Sequence, residues 1–324
     1  MRSQGHAVES VCRVLSKQGC KIAARTYRSA KSTAAASSSR GVSARVVEDA
    51  QVADVMRSIA WTVDEHGPMV GRRRLTPEGL YGRRKWTALM QRRRPGTSPG
   101  SVDRAMRVLG LEGVRRAKGI RTTIPARDGI RAGDLLDRDF SAAAPNRKWV
   151  MDFTYCRTWA GWTYVAFVVD CYAQKIVGWH ASTVRDTDLV MTPLRMAIWQ
   201  RSRENRPLVP GELIAHSDAG TQYVSLRFTE HLALEEIHPS IGSVGDAYDN
   251  GLMESIIGLF KTECIRTTVF HAGPFRTIAD VEFATAGWVD WYNQRRLHSS
   301  LGYATPVEYE TAHDQSLNRV AEPV

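Results

Sequence analysis

The chain is 324 residues long, 43% hydrophobic and 24% charged, with a formal net charge of +10. It is long enough for two or three domains and apolar enough for a real core. Its longest uninterrupted apolar run, residues 164–169, is far too short to span a bilayer, and residues 1–7 are polar rather than secretory. Five scattered cysteines (Cys12, Cys20, Cys156, Cys171, Cys264) without a C-x-x-C pair read as reduced thiols in a cytosolic protein, not as a disulfide framework or a zinc knuckle. The charge is unevenly spread. Residues 1–140 hold 28 Lys and Arg against 13 Asp and Glu, whereas residues 141–324 hold 16 against 21. A solvated basic surface would account for the imbalance equally well. The clusters Arg72-Arg73-Arg74, Arg83-Arg84-Lys85 and Arg92-Arg93-Arg94 favour a nucleic-acid-binding region ahead of a catalytic core.

In chain order, residues 1–31 read as a short helical pair. Val8, Val11 and Leu15 share a face, Gly19 interrupts, and Ile22, Ala23 and Tyr27 resume it. Residues 32–46 are rich in Ser and Ala and read as a flexible linker. Residues 47–117 form the expected helical, DNA-binding region. A first helix puts Val52, Met56, Ile59 and Val63 on one stripe, and residues 79–110 look like a helix-turn-helix. There Trp86, Leu89 and Met90 stand at i, i+3, i+4, and Pro95-Gly-Thr-Ser98-Pro99 has the chemistry of a turn leading into a capped helix. The second helix turns Val102, Met106 and Leu109 inward and stops at Gly110. Arg104 and Arg107 are expected on its outward, groove-reading face, with Arg83, Arg84, Arg115, Arg116 and Lys118 flanking it. A small bundle with a charged solvent face is the bland alternative. Residues 118–145, with Pro125, Gly129, Gly133 and Pro145, read as a second linker.

From residue 146 to 310 the pattern is that of an α/β domain, followed by a tail at 311–324. Strands are expected at 149–156, 162–170, 176–180, 213–217 and 237–240. Helices are expected at 186–199, 226–234 and 278–292, with Val281, Ala284, Trp288 and Tyr292 buried in the last. The order β-β-β-α-β-α-β-α matches a ribonuclease-H-like mixed five-stranded sheet with flanking helices.

Three acidic residues carry the chemistry: Asp152 in Trp149-Val-Met-Asp152-Phe-Thr-Tyr155, Asp218 in His216-Ser-Asp218-Ala-Gly-Thr-Gln-Tyr223, and Glu254 behind Gly245-Asp-Ala-Tyr-Asp-Asn250. A buried, unpaired carboxylate in an apolar strand is costly, so Asp152 is expected at an open edge or on a metal. Two strand-end aspartates with a helix-borne glutamate, separated from the second aspartate by 35 residues, form a set able to hold two divalent ions for phosphoryl transfer. Glu254 is expected near the start of a helix capped by Asp249 or Asn250, about 200° around from Ile256, pointing away from a packing stripe of Leu252, Ile256, Leu259 and Phe260. Lys261, about 20° off the face of Glu254, is placed to hold a DNA phosphate. His216 is as well explained by strand packing as by DNA positioning. Asp170 reads as structural, and Asp246 and Asp249 as turn and cap residues.

Together with the stretch Trp291-Tyr-Asn-Gln-Arg-Arg-Leu-His-Ser-Ser-Leu-Gly-Tyr-Ala-Thr-Pro306-Val-Glu-Tyr309, these motifs resemble the retroviral-integrase-like transposases of bacterial insertion sequences, in particular the second-frame product of the insertion-sequence family numbered three. The resemblance covers about residues 146–310, and the helix-turn-helix at 79–116 is similar to that family's DNA-binding segment. It implies a DNA transposase that cleaves element ends and joins them to target DNA, with Asp152, Asp218 and Glu254 as ligands of two Mg2+ (or Mn2+) ions and Lys261 on DNA. It also implies a homo-oligomer on paired DNA ends, with an upstream-frame partner or fusion, in the bacterial cytoplasm at the nucleoid and away from any membrane. Two positions depart from the pattern. Ala219 stands where an arginine is common, which puts a phosphate contact in doubt, and Gly251-Leu-Met253 stands where Ala-Leu-Ala is frequent. No His-His-Cys-Cys zinc cluster of the retroviral type is present near the N-terminus. A ribonuclease-H-fold nuclease without joining activity, a catalytically silent repressor-like DNA binder and, more weakly, an RNA-binding protein stand as rival readings.

Overall fold

Five strands order the C-terminal half of the chain. The computed structural model describes residues 7–39, 42–63, 71, 73–115, 135–218, 221–242 and 250–321. Two helices, α1 (Val8–Lys17) and α2 (Ala24–Ser39), precede α3 (Ala44–Ala60). A two-stranded ribbon follows, β1 (Trp61–Val63) against β2 (Arg73–Leu75), and then α4 (Arg83–Arg93) and α5 (Pro99–Leu109). The core comprises β3 (Lys148–Thr158), β4 (Gly161–Asp170), β5 (Lys175–Ser182), α6 (Asp188–Arg203), β6 (Ile214–Ser217), α7 (Leu226–Leu234), β7 (His238–Ile241), α8 (Gly251–Leu259), α9 (Ile278–Gln294) and α10 (Pro306–Ala321). The sheet order is β5-β4-β3-β6-β7. β3, β4 and β5 pair antiparallel, while β6 runs parallel to both β3 and β7. This is the mixed five-stranded, ribonuclease-H-like arrangement expected from the element order.

Several expectations are corrected. Residues 32–39, read as linker, continue α2; the alanines at 34–36 are strong helix formers. Val63 does not close the stripe of α3. Its helix stops at Ala60, and Trp-Thr-Val, favourable in strands, pairs with β2, leaving Val63 exposed. Residues 135–145, expected as linker, lie against the core: Leu136 is buried, the Leu135 N–H donates to Ser240 Oγ (2.9 Å), and the Phe140 ring packs edge-on to His216. The helix over the expected tail is α10, which runs on to Ala321. Arg72, Arg116, Lys118, Ala219, Asp246 and Asp249 lie outside the described residues.

The helix-turn-helix forms as its turn chemistry predicts. Ser98 Oγ accepts the Ser101 N–H at the start of α5, Pro99 occupies the first turn, and Gly110 closes the helix at φ 65°, a left-handed conformation that favours glycine. Val102 and Ala105 are buried, and Met106 and Leu109 half-buried. One hydrophobic cluster runs from Val52, Met56, Trp86 and Val102 of the N-terminal helices to Phe167, Phe260, Trp288 and Tyr292 of the core. Tyr81 stitches the two parts: its hydroxyl donates to the Arg295 carbonyl (3.2 Å) and accepts the Leu297 N–H (3.0 Å). On the other face of the sheet, α6 lies close on β5. A Cβ at Gly178 would meet the Pro193 carbonyl oxygen at 2.0 Å, so only glycine permits this approach.

Beneath the sheet edge sits a buried ionic cluster. Arg201 of α6 is fully buried and donates to Asp170 at the end of β4 (2.7 Å) and to Glu310 of α10 (2.7 Å). Lys175 bridges Glu204 (2.8 Å) and Glu310 (3.0 Å), and Arg206 reaches Glu310 (2.7 Å). Asp170 is thus structural, as expected. Burial alone would raise the Glu310 carboxyl, but hydrogen bonding to Arg201 and the charges of Arg201, Lys175 and Arg206 outweigh it and hold the group below its ordinary 4.5. A carboxyl lowered on folding contributes fully above its unfolded value and loses that contribution as pH falls through the folded value. Glu310→Gln is therefore expected to cost about 3 kcal/mol at pH 7, because it strands buried cations. In urea unfolding the gap to wild type should narrow steadily below pH 4.5; a pH-independent gap would contradict this account.

Candidate active site

β3 and β6 are paired in phase at Met151↔Ser217, the last residue of β6. The next residue on each strand is an aspartate. Parallel neighbours in register present their side chains on the same face, about 4.8 Å apart along the hydrogen-bonding direction, so Asp152 and Asp218 emerge side by side where the two strands part. Asp152 is half-buried, still paired with Phe167 of β4 on its other side, while Asp218 is exposed. The Asp152 carboxylate accepts the N–H of Phe153 (2.7 Å).

Glu254 reaches the same place from α8. The helix start is fixed by Asn250, whose Nδ2 donates to the Met151 carbonyl (3.1 Å), one residue before Asp152. Asn250 occupies the N-cap position, but no side-chain cap bond forms there: its amide is committed to β3 instead. The buried stripe of α8 is centred on Met253, Ile256, Ile257 and Phe260, with Leu252 and Leu259 only half-buried, so the expected stripe is shifted by part of a turn. Glu254 is exposed on the opposite side, as expected.

The electrostatics tie these groups together. Asp152 is raised from its ordinary 3.8 to about 7, chiefly by burial and next by the charge of Asp218. Glu254 adds to the rise, while the Phe153 N–H and the Lys261 ammonium oppose it. Glu254 itself is raised by partial burial. Tyr223, buried beside the aspartates, feels the charge of both after burial; nothing in the residue pattern along the chain singles it out as their neighbour. Lys261 lies in a π-helical segment, Phe260–Ile265, that continues α8; its Nζ stands 5.5 Å from the Tyr155 ring centroid. The sheet brings Asp152 and Asp218 together, and Glu254 and Lys261 are near enough to act on them. Among the described residues, however, no three His, Cys, Asp or Glu groups are gathered tightly enough to hold an ion. The donor chemistry nevertheless suits a hard divalent cation: carboxylate oxygens crowded into mutual repulsion are relieved by a bound positive charge.

The other candidates fall elsewhere. His216 is a packed strand residue, fully buried, with Nδ1 2.9 Å from Ser240 Oγ. Arg104, expected on an outward face, makes a two-pronged ion pair with Asp49 of α3 (2.6 and 2.8 Å), because α5 packs against α3 along that side. Arg83 pairs with Asp103 (2.8 Å), whereas Arg84, Arg107 and Arg115 are exposed. Arg83, Arg84 and Lys85 border a cleft of about 770 Å³ whose far wall includes Thr262, Glu263 and Arg296. There burial, helped by the Arg296 charge and opposed by Glu263, pulls the Lys85 ammonium down to about 7.

The stretch from Trp291 to Tyr309 acts as internal bracing. Asn293 exchanges both amide hydrogen bonds with Ile176 of β5 (3.0 and 2.8 Å). Arg296 forms a buried ion pair with Glu263 of the π segment (2.7 Å), which also accepts from Trp288 Nε1. His298 Nε2 bonds the Tyr292 carbonyl.

Several known proteins are similar to this chain. A family described as integrase core domain matches residues 142–247, and a second of the same description matches 235–306. A chain named as transposase for insertion sequence element IS986/IS6110 of Mycobacterium tuberculosis is 46% identical over 75% of this chain and 86% of its own length. The transposase for insertion sequence element IS629 of Shigella sonnei is 43% identical over 74% of this chain and 76% of its own. Transposase InsF for insertion sequence IS3A of Escherichia coli is 34% identical over 55% and 58%. Among solved structures, the HTLV-2 integrase catalytic core domain in complex with magnesium aligns at 16% identity and a TM-score of 0.36, over 52% of this chain and 97% of that one.

The raised Asp152 carries a stability signature. A carboxyl raised on folding loses stability as pH climbs from the unfolded value toward the folded one, here from about 4 to about 7. In EDTA at pH 8, Asp152→Asn should therefore unfold later than wild type, by on the order of 1–2 kcal/mol, and the advantage should vanish near pH 4. An earlier midpoint for the variant at pH 8 would show that the aspartate is not held against its charge.

Proposed function

This chain, which itself matches an integrase core domain, belongs to the IS3-family insertion-sequence transposases, and on that footing we propose that Asp152, Asp218 and Glu254 are its catalytic carboxylates. The chain is a transposase of the DDE type, an enzyme of DNA transposition and integration. The observation that carries the residue assignment is the in-phase end of β3 and β6, which sets Asp152 beside Asp218, with the charge of Glu254 acting on the same group.

The three carboxylates would hold divalent metal, two Mg2+ or Mn2+ ions in this reading, with the exposed Glu254 side chain closing the set. Such ions, when bound, activate an oxygen nucleophile and stabilise the leaving oxygen of a phosphodiester. The chain's own residues supply the frame. Asp152 and Asp218 are fixed by the sheet, Asn250 holds the start of α8 against β3, and Lys261 sits where a cation would take a phosphate of the DNA strand. Tyr223 and the half-buried Phe153, in ring contact at 6.3 Å, exclude water from one side of the aspartates.

The partner is double-stranded DNA, at the element ends and at the target. Arg84, Arg107 and Arg115 are the proposed contacts of the helical region, together with Arg83 where its pairing with Asp103 opens. Arg116 remains proposed from the sequence alone, while Arg104 has a structural role. Action as a homo-oligomer on paired ends, and a contribution from an upstream-frame product, belong to the same proposal.

With a labelled element-end duplex and Mg2+ or Mn2+, wild type is expected to yield joined products. Glu254→Gln should yield none, with DNA binding retained and a loss of at least about 1000-fold, as for removal of an essential charge-stabilising group. Nicked but never joined DNA would favour a nuclease, and binding without chemistry in either protein a repressor. In the same binding assay, Arg84→Ala with Arg107→Ala should weaken binding and lower the slope of log K against log salt by about 2; an unchanged slope would remove these residues from the interface.

A further inference from the structure

Beyond Met151, β3 no longer pairs with β6, and its outer half runs with β4 to a hairpin tip at Thr158 and Gly161. One face of that hairpin carries Phe153, Tyr155 and Arg157 from β3 and Trp162 and Tyr164 from β4, since Tyr155 opposes Tyr164 and Arg157 opposes Trp162. The aromatic residues rise from the interior to the surface. Tyr223 is buried, Phe153 and Tyr164 are half-buried, and Tyr155 and Trp162 are 57% and 50% exposed. Tyr155 and Trp162 meet edge to face at 5.3 Å.

Each exposed ring has a cation beside its face: Lys261 at 5.5 Å from Tyr155, Arg157 at 5.7 Å from Trp162 and, at the tip, Arg276 at 5.6 Å from the 72% exposed Trp159. These cations are gathered in the half of the chain that carries excess negative charge overall. The tip is held rigid, because the Trp159 and Ala160 N–H groups donate to the Phe275 and Arg276 carbonyls (3.0 Å each). Tyr155 lies three residues along the strand from Asp152, about 10 Å, and on the opposite face, at the edge of β3 that β6 has left open. Lys261 acts on both, beside the ring of one and on the charge of the other.

From this juxtaposition, and resting on the reading of the chain as a DNA-processing enzyme, we propose that Tyr155 and Trp162 form a stacking platform for unpaired bases of the DNA end, with Lys261 and Arg157 on the adjoining phosphates. Rings alternating with cations suit single-stranded nucleic acid, because every base offers a π-face and every linkage a negative charge. In an intact duplex the base faces are covered, so a platform at the open edge of β3, within reach of Lys261 but on the other face from Asp152, engages bases that have left the stack. It would hold a frayed end open while the carboxylates reach the backbone.

The test compares a short blunt DNA duplex with the same duplex bearing a few unpaired nucleotides, one of them 2-aminopurine, at one end. Binding is measured in EDTA so that no chemistry intervenes. Wild type should bind the tailed duplex about ten-fold more tightly and quench the 2-aminopurine. Tyr155→Ala and Trp162→Ala should each lose about five-fold or more of affinity for the tailed duplex, with the blunt duplex little changed. Tyr155→Phe and Trp162→Phe should keep the preference. Because both side chains are exposed, thermal unfolding of the alanine variants should match wild type. Equal affinities of wild type for the two duplexes, or equal losses on both in the variants, would overturn the platform while leaving the enzyme reading intact. A change in oligomeric state of the alanine variants without loss of the preference would instead assign the patch to contact with a second copy, and so overturn it too. Failure of wild type to bind either duplex would overturn both readings.

Discussion

The in-phase parallel pairing of β3 with β6 is the constraint on which the site depends. Side chains on a strand alternate with a period of two, so a one-residue slip would send Asp152 and Asp218 to opposite faces of the sheet. Burial prevents the slip. Trp149, Met151 and Ala215 pack into the cluster under α6 and α7, and Val150 into the cluster under α8 and α9. Hydrophobic burial on both faces thus fixes two carboxylates beside each other against their own repulsion. Burial first, and the charge of Asp218 next, raise Asp152 to about 7. A strained group of this kind persists only because the surrounding packing over-determines it.

Much of the polar interior serves to hold that arrangement still. Glu263 is two residues beyond Lys261 on the π segment, and its buried pair with Arg296 anchors the segment from behind. Asn293 closes the edge of β5, and the Arg201 cluster locks α6, β4, β5 and α10 into one register. Buried ion pairs add little net stability relative to apolar replacements of the same shape, but removing one partner is costly. Here they act as position markers, each fixing one element against another. The motif from Trp291 to Tyr309 therefore helps determine, through Glu263, where the helical stretch bearing Glu254 and Lys261 lies.

The basic N-terminal half divides its arginines between two tasks. Arg92, Arg94 and Arg104 join elements to one another, through Glu308, Glu48 and Asp49 respectively. Arg84, Arg107 and Arg115 remain exposed. Net charge alone overstated the cationic surface, since an arginine paired with a carboxylate has much of its charge offset by that partner.

The sequence by itself determined the element order of the core, the helix-turn-helix with its Ser98 cap and Gly110 stop, and the three acidic positions. Each of these is written in local chemistry or in spacing along the chain: alternating apolar residues for a strand, cap and left-handed glycine for a helix end, a carboxylate in an apolar run. Tertiary structure alone decided that Met151 stands opposite Ser217, that Asn250 reaches β3 rather than capping its own helix, and that Arg104 belongs to Asp49. It also decided that Tyr155, Trp162 and Lys261 share a surface. These are contacts between residues far apart along the chain. A hydrogen bond or ion pair selects its partner by what packing brings within about 3 Å, and periodicity in one dimension carries no record of that distance.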